Sequence, residues 1–467
     1  MTDFGAVEIL VLLTGAIGGL LGLRMVLRHQ TDHVIRRLIV AGLLAKLAGS
    51  GARYTIMADL YGGRGDFNRY FRNGREIAAQ IRSGSLPDQA RETGTPFMDF
   101  IAGLIYAAIP NRLWIGFLVF ALLSFIGAFL FLQAFRLAVP NGNHRLYAAL
   151  VFFTPTMVFW PSSIGKEAWL VFGLGVAAYG AARVLRRARF GYLIAALGGS
   201  AVFLVRPHMG ALFGLAFAGA FALRFRDTTI RRSAAGWAIG LVLIGVGAGY
   251  AASNFGEELP RARGVEEASL DAVAEETQRR TATGGSEFDS RPVRNPADFV
   301  HAAITVPFRP FPMEGHNVQA QLAGLEGTLL LLLILVSLPR LTALPRALLR
   351  QPYLALAGAY SVGFIIAFSN VGNFGILTRQ RAQLLPFLFV LLAFRWKRAR
   401  EERGPILVPA TLQEQAARVT QHATAPASTS SSTEEEEEEP DSTRDATTME
   451  LLVELPEGSV RAPPPSS

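Results

Sequence analysis

Charged residues at the ends of apolar blocks are the best candidates for chemistry in this chain. Lys166 and Glu167 are adjacent and stand between two apolar blocks. An ion pair at membrane depth is costly, so this pair predicts a functional site. The structural alternative is a Lys that reaches the membrane surface beside a Glu at a helix start.

Four further basic residues stand at the ends of other apolar blocks: Arg206, His208, Arg379 and Arg381. Arg binds phosphate and carboxylate groups through two parallel hydrogen bonds. One such Arg would be typical of an interfacial anchor. Four basic positions on the outer side of three different helices predict an anion-binding site.

Asp66 begins a segment with helical periodicity, residues 66–82. One face carries Phe67, Tyr70, Phe71, Gly74, Ile77, Ala78 and Ile81, and the other carries Arg69, Arg72, Arg75, Glu76 and Arg82. This pattern predicts an amphipathic helix on the bilayer surface. Asp66 follows Gly65, a place that suits an N-cap as well as a catalytic acid, and both interpretations stay open. Asp59 is the alternative acid.

Other patterns that resemble functional motifs are incomplete. His29 and His33 have the spacing of metal ligands, but no third ligand accompanies them, and the chain has no Cys. The chain also has no nucleotide-binding glycine motif and no nucleophile elbow. We therefore predict no metal site at His29 and His33, no thiol chemistry and no ATP-driven transport.

The elements that hold these residues are predicted membrane helices. The chain has 467 residues, of which 51% are hydrophobic and only 18% charged, against about 25% charged in soluble domains. Blocks long enough to cross a bilayer lie at 6–27, 36–58, 113–135, 146–161, 166–184, 190–206, 209–225, 234–252, 326–345, 353–369 and 376–394. The apolar stretch 97–109 is too short to cross a bilayer comfortably, so we predict that it is a re-entrant or interfacial segment.

Arg residues in five loops set the predicted orientation. These loops contain 17 Arg and two acids, and they are 24–37, 136–145, 183–189, 224–232 and 340–350. By the positive-inside rule they are cytoplasmic, with the N-terminus outside and the C-terminus inside. The outside then holds loops 59–112 and 253–325, the second with a predicted helix over 264–280. Lys46 is nearly the only charge predicted deep within a span.

The predicted fold is all-α. Residues 1–394 form a polytopic membrane domain of about eleven transmembrane helices, with amphipathic surface helices in its outside loops. Residues 395–467 include the run Glu434–Glu439 and form a disordered acidic cytoplasmic tail, because their composition cannot build a core. The formal net charge of +8 is then the sum of basic cytoplasmic loops and an acidic tail, and it predicts no nucleic-acid partner.

This layout resembles the GT-C class of integral-membrane glycosyltransferases, which use polyprenyl-phosphate-linked sugars on the outer side of the membrane. A spanning helix leads into an outside loop with Gly65-Asp66-Phe-Asn-Arg-Tyr70, followed by a surface helix and an apolar segment from Pro96. The stretch from Pro155 to Glu167 is similar to a second outside turn of such proteins. It is equally similar to turns of bacterial exopolysaccharide and O-antigen polymerase-like proteins. The resemblance extends loosely over 36–394.

The resemblance implies roles for the residues above. Asp66 would act as general base on the acceptor hydroxyl or help to bind a divalent cation, and Glu167 would be the second acid. Lys166 and the outer Arg residues would hold the lipid phosphate, and Tyr70 would bind substrate. The implied reaction is glycosyl transfer from a polyprenyl-phosphate-linked sugar to a cell-envelope glycan acceptor at the outer face of the bacterial plasma membrane. The chain departs from the class in its extra first helix, its single acid in the first loop and its disordered tail.

Two other classes of protein stay open. The first is a transporter or flippase of lipid-linked glycans, whose polar groups would be spread along a path through the membrane. The near absence of charges within spans argues against it. The second is a non-catalytic membrane partner in polysaccharide assembly, which recruits other envelope-assembly proteins through its tail. The catalytic hypothesis requires Asp66, Glu167, Arg206 and Arg379 to lie together, whereas scattered positions favour the non-catalytic partner.

Overall fold

The computed structural model describes residues 6–60, 62–63, 65–223, 288, 290–315 and 318–395. The regular elements of this part of the chain are all helices, which confirms the all-α prediction. The helices are α1 (Ala6–Arg28), α2 (His33–Thr55), α3 (Asp66–Arg82), α4 (Thr95–Ala108), α5 (Leu113–Ala138), α6 (His144–Phe153), α7 (Pro155–Phe159), α8 (Lys166–Leu185), α9 (Gly191–Val205), α10 (Pro207–Leu223), α11 (Pro296–Phe308), α12 (Val318–Leu341), α13 (Leu344–Arg350), α14 (Pro352–Phe368) and α15 (Phe374–Ala393). Short helical turns cover Ile56–Leu60, Asp88–Arg91 and Pro312–Glu314.

Several of the described helices have the length and composition of membrane spans. Four qualify singly: Leu113–Ala138, Lys166–Leu185, Val318–Pro339 and Phe374–Ala393. A fifth is present if α13 and α14, which meet at 118°, form one broken span. These helices are those of a membrane protein. The number of eleven spans and their direction stay predictions, and the predicted span 234–252, the helix over 264–280 and the tail beyond 395 lie outside the described residues.

Helices of the apolar region end before a proline at three places. The chain breaks at Thr154-Pro155, Arg206-Pro207 and Gln351-Pro352, where the residue before proline has ψ of 126°, 88° and 101°. Proline disfavours a helical conformation in the residue before it and lacks an N–H, so the helix ends there. The block 146–161, predicted as one span, is therefore broken into two helices, α6 and α7. The second break places Arg206 between α9 and α10.

Small residues bring α5, α8 and α9 into close contact. A Cβ added at Gly127 of α5 would collide with the Val171 carbonyl, and one added at Gly198 of α9 would collide with the backbone of Ala177. Such small residues allow helix backbones to approach closely where lipid supplies no hydrophobic driving force. Helices α5 and α9 thus pack closely against α8, which carries Glu167 in its first turn.

The helix predicted over 66–82 is confirmed with the predicted faces. Phe67, Tyr70, Gly74, Ile77 and Ala78 are buried. This face does not lie on a bilayer, however, because it packs on α4: a Cβ added at Gly74 would lie 2.9 Å from that of Ala102. The predicted interfacial segment is thus the partner of α3. All described helices belong to one compact unit, Met1–Lys397.

Candidate functional site

Asp66 is the first residue of α3. The N-cap position is Gly65, and no side chain caps the helix, so the N-cap alternative for Asp66 is wrong. The Oδ2 atom of Asp66 instead lies 3.6 Å from Nη1 of Arg379 in α15. The Asp66 side chain is 76% exposed, which leaves its carboxylate open to a substrate from solution.

Glu167 lies in the first turn of α8, where the helix dipole favours a negative charge. Its carboxylate is half-buried and interacts electrostatically with the guanidinium groups of Arg379, Arg206 and Arg53. A half-buried carboxylate among three guanidinium groups leaves an excess of two positive charges, which favours a bound anion.

Arg206 connects the α9–α10 break to α15. Its Nη1 atom donates a hydrogen bond to Oε1 of Gln380, the residue after Arg379, and Gln383 donates to the same oxygen. Gln380 and Gln383 are both buried. These hydrogen bonds tie Arg206 to α15 next to Arg379, and both guanidinium groups act electrostatically on Glu167.

Tyr70 is 4% exposed and lies one turn after Asp66 on the same helix. Burial raises the pKa of its phenol above the ordinary value, and the negative charges of Asp66, Glu167 and Asp99 raise it further, against an opposing effect of Arg206. Tyr70 therefore keeps its proton at neutral pH and remains a hydrogen-bond donor beside the two candidate acids.

Lys166 and His208 lie at the edge of this cluster. The Nζ atom of Lys166 donates to Oγ1 of Thr95 at 2.8 Å, which ties the N-terminus of α8 to that of α4. His208 is exposed and interacts electrostatically with Arg206 and Lys166. Seven of the eight predicted site residues are thus in one connected group: Asp66, Tyr70, Lys166, Glu167, Arg206, His208 and Arg379.

Arg381 is separate from this group although it is two residues from Arg379. Its side chain is completely buried and donates to the carbonyl oxygens of Pro307 and Arg309 and to Oγ1 of Thr378. Residues two apart point to different sides of a helix, so Arg381 fixes the end of α11 to α15. The structure gives it a structural role rather than the predicted contact with substrate.

Arg53 belongs to the cluster and is a residue that sequence reasoning missed. It lies at the end of α2, is 7% exposed, and donates from Nε to Oγ of Ser163 at 2.8 Å. Its guanidinium carbon is 4.9 Å from the ring centre of Phe159 and 4.8 Å from that of Trp160. A signal was present in the sequence, because Arg53 lies within the apolar block 36–58, where a charge indicates function.

Asp99 is a second residue that the sequence analysis did not identify. It lies in the segment predicted as re-entrant or interfacial, which is α4 in the structure. It is 3% exposed, and its Oδ2 atom accepts from Asn73 at 3.0 Å and from Arg69 at 3.3 Å. Both donors are on α3. Asp99 therefore fixes the rotation of α3 about its axis and, with it, the directions of Asp66 and Tyr70.

The prediction that Lys46 is nearly the only charge deep within a span is wrong. Glu326 lies within the candidate span Val318–Pro339, is 6% exposed, and accepts a 2.9 Å hydrogen bond from the Thr156 N–H. It also interacts electrostatically with Arg381. Lys46 is buried and donates to the Met157 carbonyl at 2.6 Å. Glu326 thus accepts from an N–H in the first turn of α7, and Lys46 donates to a carbonyl oxygen of the same short helix, whose i+4 residue is Pro161 and has no N–H.

Within the described part of the chain, no three His, Asp or Glu residues are grouped as metal ligands. No protein-family profile, curated protein or solved structure matches this chain.

Proposed function

We propose that this chain transfers a sugar from a polyprenyl-phosphate-linked donor to a cell-envelope glycan acceptor at the outer face of a bacterial plasma membrane. The observation that carries the proposal is the meeting of two carboxylates, Asp66 and Glu167, with the guanidinium groups of Arg379 and Arg206. Transfer from a lipid-phosphate sugar requires a base and a cationic environment together. The resemblance to GT-C glycosyltransferases and polysaccharide polymerases supports the same reaction.

In this mechanism Asp66 is the general base. Its carboxylate is exposed enough to accept a proton from an acceptor hydroxyl, and it lies beside the guanidinium group of Arg379. Arg206, Arg379 and Lys166 stabilise the negative charge that develops on the phosphate leaving group. The guanidinium group beside Asp66 repels a divalent cation, so we favour the base over the metal-ligand role. Transfer measured with and without a chelator tests that choice.

The proposal includes the predicted topology. With eleven spans and an external N-terminus, Asp66, the turn 160–167 and the start of α10 all face outward. The same arrangement places the Arg-rich loops, and the acidic tail with any envelope-assembly partners it recruits, in the cytoplasm.

The test is transfer by the purified protein with polyprenyl-phosphate sugar donors. We expect wild-type protein to transfer and both Asp66→Asn and Lys166→Ala to be strongly impaired. Full transfer by both variants, or no transfer by the wild type with any donor, would contradict the proposal. Absence of all transfer would favour the non-catalytic assembly partner.

A transporter or flippase of lipid-linked glycans is the second candidate, and the charge of Glu326 within a candidate span supports it. The two functions differ in which carboxylate they need. Transport requires the deep Glu326, and glycosyl transfer requires the exposed Asp66. Lipid-linked glycan movement in proteoliposomes that is lost in Glu326→Gln and retained in Asp66→Asn would favour transport.

A further inference from the structure

Arg53 has a hydrogen-bonding group that the described protein leaves unused. Its Nη1 atom is buried and has no hydrogen-bond partner among the described residues. An unsatisfied buried donor on a charged group destabilises the fold, so such groups in proteins call for an explanation. A ligand that accepts this hydrogen bond is one.

The surroundings of Arg53 hold its guanidinium in a single place. The rings of Phe159 and Trp160 lie within cation–π distance of it, and the Nε bond to Ser163 fixes its plane. A side chain restrained in this way loses little conformational entropy when it binds an anion. The site is therefore organised before ligand arrives.

The charges around Arg53 specify what that ligand is. Arg53 interacts electrostatically with Glu167 and with Arg379, and Glu167 is shared with Arg206. Three guanidinium groups and Lys166 carry four positive charges against the two carboxylates of Glu167 and Asp66, which leaves two positive charges uncompensated. Two unbalanced positive charges match a dianion better than a monoanion.

We infer that Arg53, with Arg206 and Arg379, binds a phosphomonoester dianion on a prenyl chain, which is the leaving group of the proposed transfer. This inference rests on the proposed function for its choice of lipid. In the reaction, the bond between the anomeric carbon and the phosphate oxygen breaks, and its electron pair stays on the phosphate. The acceptor oxygen bonds to the anomeric carbon, and its proton passes to Asp66.

The charge on the phosphate rises by one in this step, from the diester monoanion of the donor to the monoester dianion of the product. A site that matches the dianion binds the leaving group more tightly than the donor. It therefore stabilises the transition state, in which this charge develops. Arg53 supplies the cation that the donor alone does not need.

The test is ligand binding by the purified full-length protein, at a pH above the second phosphate pKa of about 6. The probes are farnesyl phosphate, its methyl diester, farnesol and inorganic phosphate. We expect farnesyl phosphate to bind at least about tenfold more tightly than the diester, because one charge-assisted interaction is worth about 1.5–3 kcal/mol. Farnesol and inorganic phosphate should bind more weakly than farnesyl phosphate.

Arg53→Gln should lower the affinity for farnesyl phosphate by about 10- to 100-fold and remove the preference over the diester. Arg82→Gln is the matched control, because this Arg lies at the far end of α3 and donates to the Tyr106 carbonyl. Its affinity should be that of wild type. If Arg53→Gln does not fold, Arg53→Lys should retain the charge and part of the affinity.

Equal affinity of wild type for monoester and diester would overturn the dianion assignment. Equal affinity for inorganic phosphate would overturn the prenyl assignment, and unchanged binding by a folded Arg53→Gln would overturn the role of Arg53. These measurements contain no sugar donor. A protein that binds farnesyl phosphate through Arg53 but transfers no sugar would contradict the proposed function and leave this inference intact.

Discussion

Arg379 and Asp66 are far apart in sequence but close in the structure: Nη1 of Arg379 in α15 lies 3.6 Å from Oδ2 of Asp66 at the start of α3. This contact brings the start of α3 to the helix that also carries Gln380. An ion pair with one exposed partner contributes about 0–1 kcal/mol to stability. Its importance in the proposed mechanism is therefore that it places the Asp66 carboxylate beside a cation.

Substitution of Arg379 and of Arg381 by Gln should affect different properties of the protein, transfer activity in the first case and stability in the second. Arg379→Gln should lower glycosyl transfer and leave the free energy of unfolding within about 1 kcal/mol of wild type. Arg381→Gln should destabilise by about 1–3 kcal/mol for each buried carbonyl that loses its donor, because the Pro307 and Arg309 oxygens accept hydrogen bonds from this guanidinium. Thermal unfolding in detergent, measured beside transfer, checks both. Equal destabilisation by the two substitutions would show that the difference in burial has no energetic consequence.

Gly198 and Gly199 form a matched pair for the packing of α9 against α8. A Cβ at Gly198 meets the Ala177 backbone, whereas a Cβ at Gly199 meets nothing within 4 Å. Gly198→Ala should destabilise by about 1–3 kcal/mol through overpacking. Gly199→Ala should be neutral or stabilise by up to about 1 kcal/mol through helix propensity. Unfolding midpoints of the two variants in the same detergent decide between them, and a stabilised Gly198→Ala would refute the close approach.

Glu314 predicts a dependence of stability on pH. Partial burial alone would raise the pKa of its carboxyl, but hydrogen bonds from Arg309 and from the Phe311 N–H outweigh burial and lower it. A lowered pKa stabilises the fold above the unfolded value of about 4.3, and that stability is lost as pH falls through the folded pKa.

Glu314→Gln should therefore lower the unfolding temperature at neutral pH, and its difference from wild type should shrink below about pH 4. Unfolding temperatures measured from pH 7 to pH 3 give this comparison. A difference between the two proteins that stays constant down to pH 3 would exclude Glu314 as its source.

The absence of Cys makes the proposed topology directly measurable. Ser85 and Asn141 are exposed and lie in loops of opposite predicted sides. In intact cells, a membrane-impermeant maleimide should label Ser85→Cys and leave Asn141→Cys unlabelled until the membrane is opened. The reverse pattern would invert the orientation and place Asp66 in the cytoplasm.

Local patterns predicted much of what the structure contains. The faces of α3 follow from a helical period of apolar residues, which depends only on neighbours in sequence. The tight break at Arg206 also has a local cause in Pro207. The partner of the α3 face did not follow, because α4 is apolar on most sides and its length suggested an interfacial segment.

The division of the predicted basic residues could not be read from sequence. Arg379 and Arg381 have the same type and nearly the same position, and the difference is that Arg381 meets carbonyl groups of Pro307 and Arg309. Such contacts are set by packing between distant segments. The importance of Arg53 and Glu326 could have been predicted from the sequence, because each is a charge within an apolar block.

The most direct measurement of the central claim is the rate of sugar transfer by Asp66→Asn against Asp59→Asn. Both substitutions remove one exposed carboxylate near the same loop, and only Asp66 contacts Arg379. Loss of a general base predicts a rate about 100- to 10,000-fold lower for Asp66→Asn, with Asp59→Asn near wild type. Equal rates for the two variants, with wild type active, would contradict the assignment of the base and with it the proposed site.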